Sequence, residues 1–141
     1  MFKLTISQFR QFDEWVEAQF EKRLAETLEK HFFADIRGSS LSSKDEMRFF
    51  VRKCVERAKQ MGIASLDETA RFGAWAAAYQ MLNDEERGIF GPNIGALFLR
   101  PGTSGAAALA LADYRLERLA ASHPFAVALM ARMKAVRESL R

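Results

Sequence analysis

Cysteine and histidine are almost missing from this 141-residue chain, which has one Cys, Cys54, and two His, His31 and His123. A single thiol excludes an internal disulfide framework. So few thiols and imidazoles starve most metal sites and nucleophilic triads. The motifs that carry such chemistry are missing as well. No H-E-x-x-H, paired C-x-x-C or G-x-S-x-G occurs, and Gly91, Gly95 and Gly102 are too widely spaced for a phosphate loop and lack its Lys. Long hydrophobic runs are also lacking. The uncharged stretch from Pro101 to Ala112 falls short of the ~18 residues that span a bilayer. Met1-Phe-Lys-Leu-Thr5 leads straight into a charged helix, unlike a signal peptide. The expectation is a cytoplasmic protein with no membrane span, no cofactor and no catalytic centre. Only an acid–base pair assembled from separate helices escapes that exclusion.

Charge of one sign is weak too. The net +3 divides into 13 basic and 15 acidic groups over residues 1–86, net −2, and 8 against 3 over residues 87–141, net +5. The basic groups are spread along helices, which reads as a solvated surface and argues against a polyanion partner.

What the chain does have is helix chemistry. Thr5-Ile-Ser-Gln8, Ser43-Lys-Asp-Glu46 and Ser65-Leu-Asp-Glu68 are capping boxes, in which hydroxyl and carboxylate or amide side chains satisfy otherwise orphaned backbone donors. Apolar residues at steps of three and four follow each. Phe9, Phe12, Val16, Phe20, Leu24, Leu28 and Phe32 stripe a helix from Ile6 to Phe33. His31 sits in its last turn, where a cation suits the helix dipole. Met47, Phe50, Val51, Cys54, Val55, Ala58 and Met61 stripe a second helix, which Gly62 should close in the left-handed conformation. A third runs from Leu66 to Leu82, with small residues around Trp75 and Tyr79 that admit close helix approach. Two more are expected over Ser104–Ala121 and beyond Ser122-His-Pro124. The prediction is an all-α, single-domain bundle of five to six helices over residues 1–141, centred on the hairpin of helices two and three. Phe12, Val16, Phe20, Phe50, Val51, Cys54, Trp75, Leu116, Leu129 and Met133 are its expected core.

Between helices three and five the pattern weakens. Asn83 to Gly88 reads as a polar break with room for a short turn of helix, and Asp84, Glu85 and Glu86 read as a solvated loop. Ile89 to Gly102 is apolar but lacks helical periodicity, and Pro92 suits the first turn of a short helix ending near Arg100. Two readings follow. Phe90, Leu97 and Phe98 plug the core, or Phe90, Ile94, Leu97 and Phe98 form a hydrophobic face for a partner protein. Asp84, Glu85 and Glu86 would serve such a face if the partner were basic. A third possibility is a helix-turn-helix, because helices two and three are joined by a short turn. Its leading end would present Asp67 and Glu68 to phosphates, so no nucleic acid is expected.

Three stretches resemble one family. Arg23-Leu24-x-x-x-Leu28-x-x-x-Phe32, Val51-Arg52-x-x-x-x-Arg57-Ala58-x-x-x-Gly62-Ile63 and the acidic capped helix ending in Ala70-Arg71-Phe72 look like small bacterial helical proteins encoded among spike, effector and immunity genes of type VI secretion systems. The resemblance covers residues 20–82 and carries no functional residues with it. It implies a non-enzymatic accessory whose partner is a secreted effector, toxin or spike component. That accessory would be a chaperone or adaptor or, alternatively, an immunity protein. Self-association is a further alternative.

Overall fold

The computed structural model describes residues 6–33, 44–63, 65–99 and 104–140. Among them are six α-helices and no strand: α1 (Ile6–Leu28), α2 (Lys44–Gln60), α3 (Leu66–Met81), α4 (Asp84–Asn93), α5 (Gly105–Ala120) and α6 (Pro124–Leu140). A π turn over Glu29–Phe33 extends α1, and a 3-10 turn over Gly95–Phe98 follows α4. The protein is an all-α bundle. No described helix is long and apolar enough to cross a membrane.

Local chemistry accounts for the helix ends. At α3 the Ser65 hydroxyl accepts the Glu68 amide at 3.1 Å and donates to the Glu68 carboxylate at 3.0 Å, so one donor of the first turn is satisfied. Ser104 accepts the Ala107 amide at the start of α5, at 3.1 Å. Pro124 opens α6, where its missing N–H is no loss. The caps at Thr5 and Ser43 lie outside the described residues. Gly62 ends α2 at φ 75°, a conformation open to glycine. Its amide donates to the Lys59 carbonyl, and that of Ile63 to the Ala58 carbonyl, the paired bonds of a Schellman ending.

The third helix is the centre of the bundle, packed against α1, α2, α5 and α6. Ala70, Gly73, Ala74, Ala77 and Ala78 are all buried on it, and such small side chains let neighbouring helices come close. The buried residues form one cluster, with Leu24, Leu28, Phe32, Met47, Val51, Ala112 and Leu129 deep within it. Several core expectations shift. Val16, Phe20 and Phe50 are half-buried, and among the described side chains of α1 full burial begins at Leu24. Phe50 instead meets the edge of Phe33, with ring centroids 6.0 Å apart. The side chains of Phe9 and Phe12 lie outside the description. Cys54 is buried, and burial pushes its thiol up to about 12, consistent with an inert packing role.

His31 departs from expectation as well. Burial lowers its pKa, and the neighbouring charges of Lys30 and Arg132 lower it further. The cation at this helix end is supplied from α6, where Arg132 donates to the His31 carbonyl. The imidazole Nε2 lies 2.9 Å from Ser139 Oγ.

Candidate functional site

The residues that sequence patterning singled out fall on α4 and the 3-10 turn. Asp84, Glu85 and Glu86 form the first turn of α4, not a loop. Asn83 is the N-cap. Its Oδ1 accepts the Glu86 amide at 2.8 Å, and the Glu86 carboxylate accepts the Asn83 amide at 3.0 Å. This is a reciprocal capping box. Glu86 is therefore committed to the backbone, while Asp84 and Glu85 stay exposed. The spacing Asn83-x-x-Glu86 is the signal that could have revealed this helix. Pro92 falls in its last turn rather than its first.

The four apolar residues divide. Phe90, Ile94 and Leu97 are buried, at 2%, 0% and 1% exposure. They are core and cannot meet a partner without opening the fold, which corrects the reading of these three as a partner face. Phe90 packs against Trp75 at 5.9 Å and Tyr79 at 6.2 Å. Phe98 is half-buried, with its ring 5.5 Å from Phe72 and 6.5 Å from Trp75. Two exposed apolar side chains that were not expected to face a partner stand beside them, Leu99 at 76% and Tyr79 at 40%.

Together these two border a shallow groove. Tyr79, Pro92 and Leu99 form its rim, Gly91, Gly95 and Ala96 line it, and its volume is about 480 Å³. A smaller hollow of about 210 Å³ shares Tyr79 and Gly95 and reaches in to Phe72, Trp75 and Phe98. Three arginines bond the backbone around the groove. Arg87 donates to the Tyr79 and Gln80 carbonyls at 3.0 and 3.2 Å while its guanidinium lies 4.8 Å over the Tyr79 ring. Arg115 donates to the Asn93 carbonyl at 2.7 Å, and Arg57 to the Phe98 carbonyl at 3.3 Å. These contacts supply side-chain donors to carbonyls at the ends of α3, α4 and the 3-10 turn, and the Tyr79 carbonyl also accepts the Leu82 amide at 3.3 Å.

Comparison with known protein families, with curated proteins and with solved structures returns no match. The chemistry must therefore be read from the geometry. Among the described residues no three His, Cys, Asp or Glu side chains converge to hold a metal ion. The leading turn of α3, which a helix-turn-helix would offer to DNA, carries Asp67 and Glu68. Its one cation, Arg71, is turned toward α5 and paired with Asp113.

Proposed function

We propose that the protein is a non-enzymatic interaction module that holds an apolar segment of another polypeptide in the groove beside α4. The observation that carries this reading is Leu99, the most exposed large apolar side chain described, standing at the rim of a hollow lined by residues with little or no side chain. Gly91, Gly95 and Ala96 let a partner backbone approach closely, and Tyr79 supplies the rigid aromatic area that anchors interfaces. The arginine bonds to the surrounding carbonyls hold the groove in shape before binding, which reduces the ordering cost of association. Asp84 and Glu85 stand about 10 Å along α4 from Gly91, at 1.5 Å per residue. A partner segment with apolar residues followed by a basic flank fits this layout.

The resemblance of residues 20–82 to type VI secretion accessory proteins supports a chaperone or adaptor role, with an effector or spike component as the client. Co-expression of the tagged protein with its neighbouring genes tests this. Leu99→Asp should leave the melting temperature unchanged and weaken capture of the client by about tenfold or more. Retention of the client at full affinity would overturn the groove. If Asp84→Lys with Glu85→Lys abolishes capture while Leu99→Asp does not, the immunity reading replaces it.

A further inference from the structure

On the other side of α3, by helical position, a cleft of about 200 Å³ opens between α1, α3 and α6. Its apolar wall comes from Phe20 of α1, Ala70 and Ala74 of α3, and Met133 and Val136 of α6. Three guanidinium groups border it, those of Arg23, Arg71 and Arg137, against one carboxylate, Asp67.

The hydrogen bonding of these arginines is incomplete. Arg71 and Arg137 share a single acceptor, Oδ2 of Asp113 on α5, the second at 3.3 Å. The Arg71 Nε–H is buried and has no acceptor among the described residues. Among the described residues Arg23 reaches the Leu140 carbonyl, at 3.5 Å, the outer limit of a hydrogen bond. A buried donor without a partner is costly to keep, and most native structures supply one. Guanidinium groups thus outnumber carboxylates along a cleft whose lining is otherwise largely apolar.

We propose that this cleft binds a small apolar carboxylate, with the acid on the arginines and an aryl or branched aliphatic body inside. The planar guanidinium fork matches a carboxylate in shape and charge. An apolar cavity of about 150 Å³ is known to accept a benzene ring, so about 200 Å³ holds a ring of that size with a short arm. Inorganic phosphate would meet the same arginines but leave the apolar wall unfilled. A helix or strand of another protein is too large to enter. Asp67 faces the same cleft and sets a preference for monoanions over more highly charged ligands, by like-charge repulsion.

Titration of the full chain with phenylacetate, its neutral isostere phenylacetamide and inorganic phosphate tests the site by NMR. Phenylacetate should give saturable shifts at the Ala70 and Ala74 amides and the Met133 methyl. It should bind about tenfold or more tightly than the amide, a gap of about 1.4 kcal/mol, and more tightly than phosphate. Arg71→Met should erase the acid-over-amide preference. Because that change also breaks the pair with Asp113, Arg23→Gln, at an exposed position, should reduce the same preference in a protein of unaltered melting temperature. Equal binding of acid and amide overturns the proposal. So does a preference that both variants retain, or the lack of any saturable shift below about 10 mM.

Discussion

Burial disfavours the charged imidazole of His31, and Lys30 beside it and Arg132 from α6 add like-charge repulsion. Its pKa in the folded protein is therefore below the unfolded value of about 6.5. The unfolded chain then takes up the proton more readily, so the stability linked to this group is complete above about pH 6.5 and is lost as the pH falls through that value. The thermal midpoint should decline between about pH 7.5 and 5.5. His31→Gln, which cannot titrate yet can still bond Ser139, should show a shallower decline. Parallel curves for the two proteins would remove His31 as the cause. At the same scale, Arg132 shows how a role read from one helix can be filled by another. The last turn of α1 does receive a cation, but it arrives from a residue 101 positions away.

Helix α4 shows what an element needs in order to form. It is 10 residues long and holds two glycines and a proline, so its intrinsic propensity is poor. The Asn83–Glu86 box and the acidic first turn compensate at the N-terminus. Tertiary burial of Phe90 and, just beyond the helix, Ile94 does the rest. Asn83→Ala should cost about 1 kcal/mol, a fall of about 3 °C in melting temperature, whereas Asn83→Asp should keep most of the stability. Calorimetry on the three proteins decides it, and an unchanged midpoint for Asn83→Ala would show that the cap is idle. The spacing found at Ser65 and Glu68 recurs at Asn83 and Glu86. The run of three acids there reads equally well as solvated loop until the backbone donors are accounted for.

Across the whole molecule, the joint that closes the bundle lies where α5 meets the turn between α2 and α3. The Gly105 amide donates to the Met61 carbonyl at 3.2 Å. A Cβ at Gly105 would sit 2.2 Å from Ile63 Cγ1, 2.9 Å from its Cδ1 and 3.1 Å from the Met61 carbonyl oxygen. Gly105→Ala should therefore destabilise the fold by about 1–3 kcal/mol through overpacking. Ile63→Ala in that background removes the clashing atoms, so the two losses should add to less than their sum, which denaturant titration of the double-mutant cycle measures. Strict additivity would place the cost of Gly105→Ala elsewhere.

The sequence by itself determined where the helices run. The α2, α3, α5 and α6 boundaries agree with their caps, periodicity and breakers to within a residue or two, because those signals act over one turn of chain. It also determined that Gly62 would end α2, since a left-handed residue there is a local demand. Only the tertiary structure decided which apolar residues are left over for a partner. Phe90, Ile94 and Leu97 look as available as Leus on any poorly patterned segment until Trp75, Tyr79 and the core close over that stretch. Leu99 stays outside, at 76% exposure. The arginines were equally out of reach of sequence reading. Arg57 and Arg115 find carbonyls 41 and 22 residues away, and Arg71 finds its carboxylate at a separation of 42. Pairings at such distances follow from how the helices pack and leave no periodic trace in the chain.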